Sequence, residues 1–179
     1  MAVIRGAHSG DSDPPARPAM PRFYRHELET GDVYVVQKGE RILGFVSVLT
    51  RQSVRYVAEL FVRPGRQSRK VGGLLLREAL PEDGTAACTL SSRDYRAMSL
   101  YIRAGMRSMW PNFELRVRSA DLGMLPELGV EVTAASPGEP DLVTWDEQVG
   151  RRRRPLDLSY LTSELGAVPL WFRPSATFF

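Results

Sequence analysis

The stretch VRYVAELFVRPGRQSRKVGGLLLREAL, residues 54–80, constrains the fold most, because its pattern changes from strand to helix within a few residues. The first nine residues predict a strand in which Val57, Glu59 and Phe61 alternate with their neighbours and share one face. A Pro-Gly pair then breaks the strand, and a leucine-rich stripe predicts a core-facing helix over residues 72–80. A strand that leads into a helix and then another strand predicts a crossover onto the same sheet.

The flanking segments supply the other elements of this sheet. A short helix is predicted before an antiparallel hairpin, and a further strand, a second helix and a hairpin-like pair after the leucine-rich helix. In chain order these segments are RFYRHELE, VYVVQ, RILGFVSVLTRQ, AACTLSS, DYRAMSLYIRAGM, MRSM and FELRVR. Asp94 is the expected N-cap of the second helix and Gly105 its C-terminal stop. The pattern predicts an α+β (mixed α/β) fold, with a parallel crossover added to an antiparallel meander.

Five polar side chains precede the leucine-rich helix and its Gly72-Gly73 pair: Arg66, Gln67, Ser68, Arg69 and Lys70. A helix N-terminus exposes backbone N–H groups and a partial positive charge, which together favour phosphate. Glycines there let a ligand approach the backbone closely. The alternative is a basic, solvated loop that leads into an ordinary amphipathic helix.

This region resembles the cofactor motif of the GNAT superfamily of acetyl-CoA-dependent N-acetyltransferases, a strand with V-x-P followed by [R/Q]-x-x-G-x-[G/A] and a leucine-rich helix. Val62 and Pro64 match the first part, Gln67 the second, and Gly72 the final position. Lys70 stands where the family usually has its first glycine. Its side chain would either crowd the pyrophosphate or turn outward and pair with it.

The predicted second helix is similar to the family's N-x-x-A-x-x-x-Y-x-x-x-G-F pattern. The matching residues are Asp94, Ala97, Tyr101, Gly105 and Met106, with Asp for Asn and Met for Phe. The resemblance covers residues 33–117 and implies the GNAT fold, a mixed and mostly antiparallel sheet flanked by helices.

The resemblance implies acetyl-CoA as cofactor, bound by Phe61, Val62, Gln67, Ser68, Arg69, Lys70, Val71, Gly72, Gly73 and Asp94. It also implies that Glu59 accepts the proton of an attacking primary amine and that Tyr101 protonates the leaving thiolate. The alternatives are a solvated strand carboxylate for Glu59 and a core-packing aromatic for Tyr101. The strands that carry Phe61 and Cys88 must splay apart to admit the pantetheine arm.

Other polar groups bound the class of protein. The two histidines have no partners at ligand spacing, which argues against a metal site. His26 is either an acceptor-pocket residue or, as the simpler interpretation, a surface helix residue. The lone Cys88 fits a small core residue in a reducing compartment. Without an apolar span or signal segment, a cytoplasmic location and no membrane partner are expected.

Composition changes after residue 120, so we expect a disordered segment over 1–21, a GNAT catalytic domain over 22–119 and a distinct segment over 120–179. The last is similar to the start of a second GNAT module, with the order strand, helix, helix, strand. It would either fold onto the first module, which we favour, or pair with a second copy as a homodimer. Arg151 to Arg154 form a solvated basic run, and neither a reading helix nor interleaved aromatics supports nucleic-acid binding.

The function predicted from the sequence is acetyl transfer from acetyl-CoA to a primary amine of a small molecule or protein. The acceptor is unknown, because no residue pattern in the loops encodes it. The alternative is a catalytically weak or inactive module that binds or senses CoA, a hypothesis prompted by Lys70 and the incomplete second module.

Overall fold

The computed structural model describes residues 2–5, 21–109, 111–112, 118, 120, 123, 129–136 and 138–174, without the side chains of 2–5 and 173–174. The chain divides into two compact units, residues 1–107 and 108–179. The division falls before the boundary predicted after residue 119. Each unit is described separately.

The first unit is built on a five-stranded sheet in the order β1-β2-β3-β4-β5. Its elements are β1 (Ala2–Arg5), α1 (Arg22–Thr30), β2 (Asp32–Lys38), β3 (Arg41–Arg51), β4 (Val54–Val62), a 3-10 turn (Pro64–Arg66), α2 (Val71–Ala79), β5 (Ala86–Thr89) and α3 (Tyr95–Arg103). All neighbouring strands are antiparallel except β4 and β5, which are parallel. The predicted α+β class, with a mixed and mostly antiparallel sheet, is confirmed.

Two expectations about the ends of this unit differ from the structure. Part of the predicted disordered segment, Ala2–Arg5, is a strand that pairs with β2 and satisfies the backbone groups along its outer edge. Residues 106–109, expected as a strand, have no regular structure. The rest of the predicted hairpin-like pair, residues 113–117, lies outside the described residues.

The main core lies on the face of the sheet that α2 covers. Val46, Val48 and Val57 pack there against Leu75 and Leu76 of the helix, and all five side chains are buried. The predicted leucine stripe therefore serves the core, as expected. Leu100 and Tyr101 bring α3 onto the same face, where both side chains are partly buried.

Ala58 is an extra residue in β4 that breaks the strict alternation predicted for this strand. Val57 pairs with Val48 and Glu59 with Ser47, so one residue of β4 has no counterpart on β3. Such a bulge shifts the following side chains to the opposite face. Val57 therefore faces the α2 core, whereas strict alternation would have placed it with Glu59. The prediction for Val57 was wrong, and the shared face of Glu59 and Phe61 is confirmed by their register.

The other face of the sheet is covered by α1, whose C-terminal end contacts β3 closely. An added Cβ at Gly31 would lie 2.5 Å from the Val48 carbonyl oxygen and 2.8 Å from Leu49 Cδ2, so only glycine fits there. The buried Arg51 donates to the Thr30 carbonyl at 3.0 Å and to the Thr30 hydroxyl at 2.8 Å. A cation at this position stabilises the helix C-terminus and fixes α1 on the sheet.

The second unit contains β6 (Val130–Ala134), α4 (Pro140–Gly150), α5 (Pro155–Ser159) with a π-helical turn (Tyr160–Glu164), and β7 (Leu170–Pro174). β6 and β7 pair antiparallel. The predicted order of strand, helix, helix and strand is confirmed. Arg154 does not fit the predicted solvated run, because its guanidinium is partly buried and paired with Asp146 at 2.7 Å.

No helix in the described part of the chain is long and apolar enough to cross a membrane. The described residues also contain no cluster of three or more side chains suited to a metal ion.

Candidate active site

The candidate site lies where β4 and β5 separate. Their parallel register runs from Val54 opposite Ala86 to Val57 opposite Thr89, and β5 ends there. Beyond this point β4 continues to Val62 with β3 on one side only, among the described residues. Because β5 ends, a stretch of β4 backbone has no neighbouring strand on this side in the described part of the chain. The predicted splay of the two strands stays a prediction.

Glu59 and Tyr101 lie at this opening. Glu59 is half-buried in β4, and burial raises the pKa of its carboxyl above 4.5. The Tyr101 hydroxyl lies near Thr89, whose hydroxyl donates to the Val57 carbonyl at 2.8 Å. Burial and the nearby Glu59 charge raise the pKa of Tyr101 above 10, against a smaller lowering by Thr89. The two predicted catalytic side chains are thus within electrostatic reach of each other.

The N-terminus of α2 supplies backbone donors. The first hydrogen bond inside the helix runs from the Leu74 N–H to the Lys70 carbonyl at 3.0 Å, so the N–H groups of residues 71–73 precede it. Gly73 is exposed, with no atom within 4 Å of a Cβ built on it. Gly72 packs against Leu100 instead. Val71, also predicted to bind the cofactor, is buried in the core.

Lys70 occupies the N-cap of α2 in a left-handed conformation, with φ of 65°. This geometry explains the glycine of the resembling motif, since only glycine adopts it without steric cost. Ser68, two residues earlier, also has positive φ, at 59°. The Lys70 side chain is exposed and makes no capping hydrogen bond.

A polar network joins the two predicted motifs. Arg96 donates to Gln67 Oε1 at 3.0 Å and pairs with Asp94 at 2.7 Å. Asp94 also accepts from the Arg96 backbone N–H at 2.8 Å, which confirms it as the N-cap of α3. Hydrogen bonds from the side chain and backbone of Arg96 lower the pKa of Asp94. Gln67 donates in turn to the Val62 carbonyl at 3.4 Å. The loop before α2 is therefore tied to both β4 and α3.

Glu27 is a candidate residue that sequence reasoning missed. Glu27 lies on the side of α1 that faces the sheet and is 2% exposed. Burial and, to a smaller extent, the Glu59 charge raise its pKa to about 7, against a lowering by the Ser47 hydroxyl. Glu27 Oε1 and Ser47 Oγ are buried without a hydrogen bond of good geometry in the described part of the chain. The neighbouring His26 is also buried, so its simpler interpretation as a surface residue is wrong.

The apolar residues of α1 hid this carboxylate in the sequence. Phe23, Tyr24 and Leu28 suggest an apolar stripe, yet each is more than a third exposed. The Gly31 contact and the Arg51 cap instead turn His26 and Glu27 toward the sheet. An acidic residue beside histidine in a short helix was the available signal, and it is a weak one.

Residues 29–106 match the family model of the acetyltransferase (GNAT) domain. No curated protein gives a significant match. Similar solved structures include a GNAT family acetyltransferase from Streptococcus pneumoniae TIGR4, with 18% identity, coverage of 53% of this chain and 82% of that one, and a TM-score of 0.44. An IAA acetyltransferase from Bacillus cereus ATCC 14579 has 20% identity, coverage of 57% and 75%, and a TM-score of 0.45.

Replacing Lys70 with glycine should stabilise the fold. The left-handed conformation costs a residue with a Cβ about 1–2 kcal/mol, only part of which the extra backbone entropy of glycine offsets. We expect K70G to raise the free energy of unfolding in urea by about 0.5–1 kcal/mol. The matched control R69G, at a position without positive φ, should lower it. A K70G variant as destabilised as R69G would contradict this account.

The buried Glu27 should make stability fall as pH rises. Between its ordinary pKa of 4.5 and about 7, the folded state keeps a proton that the unfolded chain has lost. Stability therefore falls through this window, and E27Q removes the effect. Relative to wild type, E27Q should gain about 2 kcal/mol in unfolding free energy between pH 5 and pH 8. The exposed control E29Q should gain nothing, and equal gains in both variants would refute the assignment.

Proposed function

We propose that the protein transfers the acetyl group of acetyl-CoA to a primary amine by direct attack, since residues 29–106 match the family model of the acetyltransferase (GNAT) domain. The same match supports an acyltransferase. The amine belongs to a small molecule or a protein. The observation that carries the proposal is the opening between β4 and β5, where Glu59 and Tyr101 lie within electrostatic reach of each other.

The residues around this opening fit acetyl-CoA. The β4 backbone near Phe61 and Val62 has no neighbouring strand on the β5 side among the described residues, and there it offers hydrogen bonds to the amide groups of a pantetheine arm, as an added strand would accept them. The N–H groups at the start of α2 and the open space at Gly73 suit a diphosphate. Arg69 and Lys70 add exposed positive charge beside them. Bound there, acetyl-CoA supplies the activated thioester.

Glu59 and Tyr101 then divide the proton chemistry. An amine of the lysine type is mostly protonated at neutral pH, so a carboxylate must remove a proton before the nitrogen can attack. Glu59 has this role, because burial makes it a stronger base than an exposed carboxylate. Tyr101 keeps its proton at working pH, because its pKa is raised, and donates it to the leaving sulfur.

The alternative, a weak CoA-binding or sensing module, is supported by one observation. Lys70 adopts a strained conformation with an exposed ammonium at the place where the family has glycine. In this alternative, the loop binds a diphosphate weakly. The measured affinity for acetyl-CoA distinguishes the two functions.

Calorimetric titration with acetyl-CoA should show one site per chain, and G73D should weaken binding at least tenfold. An aspartate at the mouth of α2 repels the diphosphate, while the open space around Gly73 tolerates the side chain. G138D introduces the same charge at an exposed glycine before α4, with open space around it and no positive φ, and serves as control. Equal affinities of G73D and G138D would contradict binding at this helix.

Y101F and E59Q should each lower kcat about 100-fold in an assay limited by the chemical step. Activity of the wild type should rise with pH as Glu59 loses its proton, above 4.5, and fall as Tyr101 loses its own, above 10. E59Q should lose the rising limb and Y101F the falling limb. Tyr95 lies exposed on the same helix, so Y95F is the control and should keep full activity. Full turnover by Y101F would end the assignment of Tyr101 as acid.

A screen of primary amines identifies the acceptor. Acetyl-CoA consumption with polyamines, amino acids, aminoglycosides and peptide N-termini covers the principal classes of primary amine. A cytoplasmic location and a homodimer through the C-terminal unit stay predictions. Exposed apolar side chains in that unit, among them Trp145 and Phe172, support the second.

A further inference from the structure

Glu27, Ser47 and Glu59 form a line of polar groups on the face of the sheet that α1 covers, called here the carboxylate line. Ser47 and Glu59 are direct partners across β3 and β4, so their side chains leave the sheet on the same face. The bulge at Ala58 is what puts Glu59 there. Glu27 approaches Ser47 from α1, and the two side chains are 2% and 1% exposed.

Two atoms of the carboxylate line have unused hydrogen-bonding capacity. Glu27 Oε1 and Ser47 Oγ are both buried, and neither has a hydrogen bond of good geometry to another described residue. Buried polar atoms in this state are rare and costly, and they occur at sites where a proton or a ligand is handled. The Ser47 hydroxyl is close enough to Glu27 to lower its pKa, so a small rotation joins the two groups.

The proposed reaction needs a second proton acceptor. The nitrogen of an ammonium substrate has three protons and the nitrogen of the amide product has one, so two protons leave it. Glu59 holds one proton at a time. A second carboxylate that is close to Glu59 and shielded from solvent meets this requirement.

We propose that Glu27 is a positioning residue for acetyl transfer, which takes the first substrate proton from Glu59 through the Ser47 hydroxyl and so returns Glu59 to its charged state. The inference rests on the proposed function. Glu59 first deprotonates the ammonium and passes that proton to Glu27. The neutral nitrogen then bonds to the acetyl carbon as the carbon–sulfur bond breaks, and the sulfur takes the Tyr101 proton. The second nitrogen proton returns through Glu59 to Tyr101, and Glu27 releases the first to solvent.

The charged groups around Glu27 are consistent with this role. Burial is the main cause that raises the Glu27 pKa to about 7, against a lowering by Ser47, and the Glu59 charge adds a smaller raising. On the remaining elements, Arg51 of β3 is bonded to Thr30, and Asp32 of β2 is paired with Arg55 at 3.7 Å. His26 neighbours Glu27 on α1 and is also buried. Near neutral pH, Glu27 therefore both accepts and releases a proton readily.

Carbon-13 NMR of the side-chain carboxyls, recorded on the free protein, tests the carboxylate line without any substrate. Glu27 should titrate near pH 7 in the wild type, at lower pH in E59Q and at higher pH in S47A, since Ser47 lowers its pKa. The control E29Q, on the exposed side of α1, should leave the titration unchanged. A Glu27 that titrates below pH 5, or that does not respond to E59Q, would overturn the proposal.

Kinetics with acetyl-CoA and the fastest amine of the screen then test the role in turnover. E27Q should lower kcat about tenfold at pH 7 with little change in the KM for acetyl-CoA. The loss should shrink as the pH rises toward about 10, where an amine of the lysine type arrives without its first proton. E29Q should behave like wild type. Wild-type kcat in E27Q at pH 7, or a loss that does not change with pH, would overturn the inference. An inactive wild type would instead refute the proposed function. The NMR titration would then test the coupling of Glu27 to Ser47 and Glu59 by itself.

Discussion

The extra residue in β4 is the feature on which the candidate site depends. Because Ala58 has no partner on β3, Val57 stays in the α2 core while Glu59 turns to the opposite face, beside Ser47. The parallel pairing of β4 with β5 ends one residue before this bulge, at Val57. The bulge thus turns the Glu59 carboxylate to the opposite face at the point where the β4 edge becomes open. Bulges beside functional sites often redirect a side chain in this way.

Helices on both faces of the sheet complete the site around this opening. The Gly31 contact and the Arg51 cap hold α1 against the sheet, which forces Glu27 into a buried position near Glu59. On the other face, α3 brings Tyr101 to Thr89 at the end of β5. Burial raises the pKa of all three titratable groups, because each loses water without gaining an opposite charge that compensates.

Local patterns predicted most of the fold, and tertiary contacts decided the rest. The leucine stripe of α2 and the capping residue Asp94 are local signals, and both predictions are confirmed. The face predicted for Val57 was wrong because the bulge arises from the pairing of β4 with β3. The alternation of residues within one strand carries no information about that pairing. Glu27 was missed because the contacts of Gly31 with β3 decide which side of α1 is buried. The sequence of the helix does not show these contacts. The roles of Glu59 and Tyr101 came from the family resemblance, and the structure supplies only their proximity.

In the proposed complex, the N-terminus of α2 and the open edge of β4 hold acetyl-CoA with its thioester beside Glu59 and Tyr101. A crystal structure of the protein with coenzyme A bound would show this arrangement. Diphosphate oxygens should lie within hydrogen-bond distance of the N–H groups of Gly72 and Gly73, and the pantetheine arm along residues 58–62 of β4. Coenzyme density elsewhere, or a helix mouth filled by the Lys70 side chain, would contradict it.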